Sequence, residues 1–267
     1  MADNLVPRPA STVVTLRDAP RGAEVLMVRR NVRSEFVGGA YVFPGGGLDA
    51  ADADPIWATR VRGLDEAAAS SRLALASGGL AYFVAGLREL FEEAGLLIAC
   101  DENGAAATLD DPARRSRLAV RRRELNAGAT TLADIVVEED LWLDLTRVEY
   151  LAHWVTPVGM VRRYDTRFLV AATPPGQVAA HDEGETVESR WLRPREAIEA
   201  SERGEMTIIL PTMRNLASIA DFTTVSEVLA HARALDTVAR IEPRLVVRDG
   251  VAVPVAPGDP GYDDAGG

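Results

Sequence analysis

The chain is expected to fold as an α/β/α sandwich around a mixed sheet, and three observations point that way. Apolar segments with strand-like alternation recur between residues 11 and 192, amphipathic segments lie between and after them, and Gly or Pro punctuates the joins. The 267 residues, 47% apolar and 26% charged, can bury a full core, so a single domain is expected over 1–267.

Ser11 to Leu16 and Glu24 to Arg29 read as an antiparallel hairpin around Asp18-Ala19-Pro20-Arg21-Gly22. Tyr41 to Phe43 is a strand end running into Pro44-Gly45-Gly46-Gly47, a loop that lets backbone approach a ligand closely. Residues 48–80 are rich in Ala and Asp, with a short helix from Asp65 to Ser77 stopped by Gly78-Gly79. A second amphipathic helix follows and ends at Gly95. Asp111 as cap and Pro112 at the first position predict a further helix to Ala127.

Val148 to Thr156, Tyr164 to Ala171 and Glu185 to Leu192 read as strands. Pro194 to Ser201, Thr212 to Ala220 and Thr224 to Leu235 read as helices. Arg244 to Val255, turning at Asp249-Gly250, predicts a last hairpin within 242–267, before a disordered Gly/Asp/Pro tail.

Charge and composition exclude several functions. All 29 basic residues are arginine, which removes Schiff-base chemistry and the P-loop lysine. A net charge of −11 argues against general nucleic-acid binding. No apolar run reaches the ~20 residues of a membrane span and no signal pattern opens the chain, so a cytoplasmic protein without a membrane partner is expected. Cys100 is the only cysteine, expected buried and inert, and His153, His181 and His231 show no metal spacing, which argues against zinc. Arg114, Arg115, Arg117, Arg121, Arg122 and Arg123 make the 112–127 helix strongly basic. A solvated helix balanced by acidic surface is the first reading and a phosphate site the second.

The chemistry concentrates in Arg88-Glu89-Leu90-Phe91-Glu92-Glu93-Ala94-Gly95-Leu96. At 100° per residue, Val84, Leu87, Phe91 and Ala94 share one face, and Glu89, Glu92 and Glu93 take the opposite one. Like charges at i,i+3 and i,i+4 repel, so a cation is needed to relieve them. Mg²⁺ or Mn²⁺ suits such oxygen donors; a solvated acidic face is the competing reading.

Strand, Phe-Pro-Gly-Gly loop and Arg-Glu-x-x-x-Glu-Glu helix together resemble the Nudix hydrolases, whose box reads G-x5-E-x7-R-E-U-x-E-E-x-G-U, with U apolar. The second half is matched from Arg88 to Leu96. The first half departs: Arg88 lies 42 residues after Gly46, so roughly 28 residues are inserted within 48–80, and Leu80 stands eight residues before Arg88, where the box has its first glutamate. An interrupted box of this kind, with His153-Trp154-Val155-Thr156-Pro157 and Arg163-Tyr164-Asp165-Thr166-Arg167-Phe168, is similar to the RP2-type subfamily, which includes a peroxisomal coenzyme A diphosphatase. This chain ends Asp-Asp-Ala-Gly-Gly and lacks a peroxisomal signal of the S-K-L kind.

The resemblance implies a Nudix α/β/α sandwich with a helical insertion and extra C-terminal helices. It also implies metal-dependent hydrolysis of a small-molecule diphosphate. Glu89, Glu92 and Glu93, helped by a Gly46 carbonyl, would hold Mg²⁺ or Mn²⁺, with Glu89 as base and Arg88 its orienting partner. Asp49, Asp52, Glu185 and Glu188 are the acids available to replace the missing box glutamate. Arg30, Arg163 and Arg167 are the expected substrate cations, drawn from a wider set with Arg29, Arg33 and Arg162. Leu26, Arg30, Gly39 and Phe43 to Gly46 keep the spacing of the coenzyme A motif L-L-T-x-R-(S/A)-x3-R-x3-G-x3-F-P-G-G, whereas Met27, Val28, Asn31 and Glu35 depart from it. Coenzyme A or acyl-coenzyme A is the expected substrate. ADP-ribose, a nucleotide sugar or a dinucleotide is the alternative, and an inactive Nudix binding or regulatory module the alternative of another class. A homodimer is left open.

Overall fold

Alternation along the first two strands decides the architecture. In the computed structural model, which describes residues 5–32, 38–109, 111–181, 186–248 and 250–265, β1 runs Arg8–Ala19 and β2 runs Gly22–Arg30. Val13 and Leu26 enter one buried cluster, whereas Val14, Leu16, Val25 and Met27 enter a second. Successive strand side chains point to opposite faces, so this sheet is covered on both.

The expected hairpin is there, but it pairs only from Leu16↔Val25 to Ala19↔Gly22. Beyond that point the strands part and the next segment fills the gap. β3 (Tyr41–Val42) pairs with β2, and β4 (Gly45–Gly47) pairs with β1. The chain crosses between them through Phe43 and Pro44, whose carbonyl accepts from the Val13 amide at 2.9 Å.

Two 3₁₀ turns, Ala50–Ala53 and Pro55–Ala58, then β5 (Val61–Arg62) and α1 (Glu66–Arg72), lead into α2 (Gly79–Ala94). β6 (Ala99–Cys100) precedes α3 (Pro112–Asn126), where the Asp111 carboxylate accepts from the amides of Ala113 and Arg114 at 2.9 and 3.3 Å, the cap its sequence predicts. α4 (Leu132–Glu138) and β7 (Trp142–Asp144) follow, neither anticipated from the sequence. β8 (Val148–Val155), β9 (Tyr164–Ala172) and β10 (Thr186–Leu192) match the expected strands within a residue or so. α5 (Pro194–Glu202), α6 (Leu210–Ile219) and α7 (Val225–Arg233) match the expected helices within two residues at each end.

β11 (Arg240–Ile241) was not anticipated, whereas β12 (Arg244–Arg248) and β13 (Val251–Val255) form the predicted last hairpin. The main sheet runs β10-β2-β1-β9-β8-β11. β1 is parallel to β9 and β8 to β11, and the other pairs are antiparallel, so the sheet is mixed as expected.

On one face lie α2, Ala69 of α1, Leu118 and Leu125 of α3, and Ile135 and Val136 of α4. On the other lie Ala197 of α5, Leu216 and Ile219 of α6, and Val228 and Ala232 of α7. The expected α/β/α layering is therefore present. A small sheet, β5-β7-β6, flanks the first layer. Cys100 is buried, as its apolar neighbours implied. Among the described residues no helix is long and apolar enough to cross a membrane.

Beyond Val255 the described residues run to Ala265 in turns. Arg244 donates to the carbonyls of Tyr262 and Ala265, and the Asp259 carboxylate accepts from the Ala256 amide. Gly, Asp and Pro content registers the lack of apolar side chains; it does not register a neighbouring arginine able to satisfy backbone carbonyls.

Candidate active site

α2 sits directly on β1 because Gly86 has no side chain. A Cβ there would lie 2.8 Å from Ser11 Oγ and 3.0 Å from Val13 Cγ2. One turn further on, Glu89 reaches the glycine strand, where a Cβ on Gly46 would lie 2.4 Å from Glu89 Oε1. Another turn on, the Gly45 amide donates to Glu93 Oε2 at 3.3 Å. Glycines are thus required on both sides of the contact, and they bring β4 against the carboxylate side of the helix.

The face opposite the apolar stripe is consequently not a solvated one. Glu93 is buried, and Glu89 and Glu92 are largely covered. Arg88, 5% exposed, lies at the centre. Its Nε and Nη2 donate to both oxygens of Asp52 at 2.9 and 3.0 Å, and Nη2 also reaches the Gly47 carbonyl at 2.8 Å. Nη1 donates to Glu89 Oε1 at 2.9 Å and to Glu92 Oε2 at 2.8 Å. Burial works against the Arg88 charge, but Asp52, Glu89 and Glu92 outweigh it and raise its pKa. Burial pushes the Glu92 carboxyl above its ordinary value; Arg88 opposes the rise, and Asp49 and Asp52 add to it.

The box acid is where the sequence reading needs correction. Counted back from Arg88 it falls on Leu80, which is a buried apolar residue in the first turn of α2. Counted forward from Gly46 with five intervening residues it falls on Asp52, and Asp52 makes the bidentate contact to Arg88. The interruption therefore follows Asp52. Counting from the glycine end was the signal that could have singled it out among the four acids named.

Asp49 lies 3.8 Å from Arg88 with its side chain 70% exposed. Glu188 accepts from Tyr41 Oη at 2.7 Å and pairs with Arg190 and Arg29. It shares a face of β10 with Leu192, four residues on, which packs in the second cluster, so it points to the face away from α2. Glu185 and Arg33 lie outside the described residues.

Of the three expected substrate arginines, Arg30 closes β2, on the strand next to β10. It is the register partner of Thr186, whose hydroxyl donates to the Glu93 carbonyl at 3.4 Å. Arg163 is committed elsewhere, donating to the carbonyls of Thr156 and Leu5 and pairing with Glu242. Arg167, 4% exposed, pairs with Asp165 at 3.0 Å beside His153, with its guanidinium 5.6 Å from the Tyr82 ring. Buried guanidinium groups need fixed partners, and these two have them; the subfamily motifs that carry Arg163 and Arg167 meet in packing between β8 and β9.

The donor chemistry of Glu89, Glu92 and Glu93 fits a hard divalent cation, because all three offer carboxylate oxygens beside a loop with backbone carbonyls. Among the described residues no three His, Cys, Asp or Glu side chains are gathered around one point. Arg88 Nη1 bridges Glu89 and Glu92, and the Gly45 amide donates to Glu93.

Comparison with known proteins agrees with this geometry. Residues 64–219 match the family described as the NUDT19 Nudix domain. An acyl-coenzyme A diphosphatase NUDT19 of Gallus gallus is 27% identical over 92% of this chain and 74% of the relative. The Homo sapiens protein of the same name is 26% identical over 96% and 76%. A crystal structure of a Nudix hydrolase from Alicyclobacillus acidocaldarius superimposes with a TM-score of 0.66 at 26% identity, covering 84% of this chain and 96% of that one. A glycine strand, a buried arginine and the carboxylates it orders thus stand together as a Nudix box despite the interruption, and the chain belongs to the Nudix hydrolases of the NUDT19 type.

Proposed function

We propose that the chain hydrolyses the diphosphate of coenzyme A or acyl-coenzyme A, giving 3′,5′-ADP and the (acyl-)4′-phosphopantetheine. The observation that carries the hydrolytic part is Arg88, buried and held by Asp52, fanning Glu89 and Glu92 toward the glycine strand. The substrate follows from the relatives named acyl-coenzyme A diphosphatase, which this chain resembles over nine-tenths of its length.

Glu89, Glu92 and Glu93, with a backbone carbonyl of Gly46, would hold Mg²⁺ or Mn²⁺, which would supply charge neutralisation for the diphosphate and acidify a water molecule. Arg88 fixes the carboxylate of Glu89, which accepts the proton from the attacking water. Arg30, on the α2 face at the end of β2, supplies a cation for the substrate's phosphate groups. The overall charge of −11 repels such a substrate, so attraction has to be local. An inactive binding module is disfavoured because Arg88, Glu89, Glu92 and Glu93 are all retained and ordered together.

Purified protein with Mn²⁺ is to be offered coenzyme A, acetyl-coenzyme A, ADP-ribose, NADH and a nucleotide sugar, with products identified by mass. Formation of 3′,5′-ADP is expected. Cleavage of ADP-ribose with both coenzyme A substrates left intact overturns the substrate, and no cleavage at all favours the binding module.

A further inference from the structure

We infer that Glu66, inside the segment interrupting the Nudix box, is a positioning residue that sets the register of α2 and hence of its carboxylates over the glycine strand. The inference rests on the hydrolytic reading above for its kinetic consequence, but its structural premise stands independently.

A helix leaves its first amides without intrahelical acceptors, and a carboxylate there is favoured by the helix dipole. α2 begins after Gly78, which has φ +81° and no side chain with which to cap. The cap arrives instead from α1. Glu66 Oε1 accepts from the amides of Gly78 and Gly79 at 2.6 and 3.3 Å, and Oε2 accepts from Leu80 at 3.0 Å. Ser70 completes the set, donating its hydroxyl to Glu66 Oε1 at 2.6 Å and accepting from Gly79 N at 2.8 Å.

The fit is tight. A Cβ on Gly79 would lie 2.3 Å from the Ser70 amide nitrogen, so α1 and the start of α2 touch backbone to backbone. Burial disfavours the charged form of Glu66, yet the hydrogen bonds from Ser70, Leu80, Gly78 and Gly79 prevail and hold its carboxyl below the usual range.

Asp52 precedes Glu66 in the chain and grips Arg88, further along α2. The intervening segment is anchored by buried Trp57, whose Nε1 donates to the Ala51 carbonyl at 2.9 Å. The interruption therefore holds the helix at two separated points, its first turn and the arginine that orders Glu89 and Glu92. With both fixed, α2 cannot slide or turn on β1, and a helix residue displaced by one position moves about 1.5 Å along the axis. Misplacement on that scale is costly at a reacting centre.

The test compares Glu66→Ala with Glu66→Gln in the full chain, below the unfolding temperature of both. Three readouts are taken: turnover of whichever diphosphate the wild type cleaves, Mn²⁺ affinity by electron paramagnetic resonance, and amide exchange along 78–94. Glu66→Ala is expected to lower kcat and weaken Mn²⁺ binding by about tenfold each, with KM changed little and exchange faster along α2 only. Glu66→Gln, which keeps the acceptor oxygen, is expected to recover part of both. A lower unfolding temperature with unchanged kcat, Mn²⁺ affinity and exchange at 86–94 overturns the inference. If the wild type cleaves nothing, the hydrolytic reading fails, and metal affinity and exchange still decide the role of Glu66.

Discussion

Two helices in this chain carry dense charge of one sign, and they put it to opposite ends. On α2 the carboxylates face inward against β4 and share one buried arginine. On α3 three of the arginines pair with acidic side chains: Arg114 and Arg117 share Glu139, at 3.1 and 2.9 Å, and Arg121 meets Glu124 and Glu138. The solvated reading of the basic helix therefore holds, and the same reading of the acidic one does not. A run of like charge in the sequence does not by itself separate the two cases; burial and the identity of the partners do. The helices also meet, since Arg122 Nε donates to the Glu92 carbonyl at 2.9 Å and so supports the C-terminal end of α2.

The contrast breaks most visibly at Glu89. Glu89→Gln is expected to reduce kcat by about 10³-fold while the circular dichroism and unfolding temperature stay near wild type, which places the charge in chemistry and not in folding. A variant of Arg114, Arg117 and Arg121, each changed to Gln, is expected to keep kcat within about twofold, because exposed ion pairs contribute little. If the second variant loses turnover and the first does not, the comparison is inverted.

Asp52→Ala tests the buried side through stability. It strands the Arg88 guanidinium and is expected to cost about 3–5 kcal/mol in urea unfolding, with Asp52→Asn costing less because its single amide oxygen still accepts one of the two Arg88 hydrogen bonds.

Glu139, covered itself, tests the pairing of the α3 arginines. The Arg117 hydrogen bond, against burial and with the charges of Arg117 and Arg114, holds its carboxyl below the ordinary value. Its folded pKa lies below the unfolded one, so its stabilisation is complete above about pH 4.3 and fades as pH falls through the folded value. Glu139→Gln is expected to cost about 1 kcal/mol at pH 7, and the difference from wild type should shrink by pH 3. The smallest effect is expected for Arg121→Ala, an unfolding temperature indistinguishable from wild type at moderate salt.

Much of this was legible beforehand because the signals are local. Asp111-Pro112 and Gly95 mark helix ends through their own backbone preferences, and the alternation of β8 and β9 was enough to place both strands. α4 and β7 were missed because a seven-residue helix and a three-residue strand are too short to show periodicity. The partners of Arg163 and Arg167 were not legible because they depend on which groups the fold brings to each arginine, and Glu242 is 79 residues from Arg163.

The sequence by itself determined the layered α/β class, the glycine strand and the arginine-carboxylate helix, because each follows from side-chain period, backbone permissiveness or the spacing of a motif. Only the tertiary structure decided that Asp52 holds Arg88 across 36 residues, that Glu66 caps α2, and that Glu93 is buried under Gly45. Those contacts join residues distant in the chain, and nothing local in a side chain records which distant group will satisfy its charge.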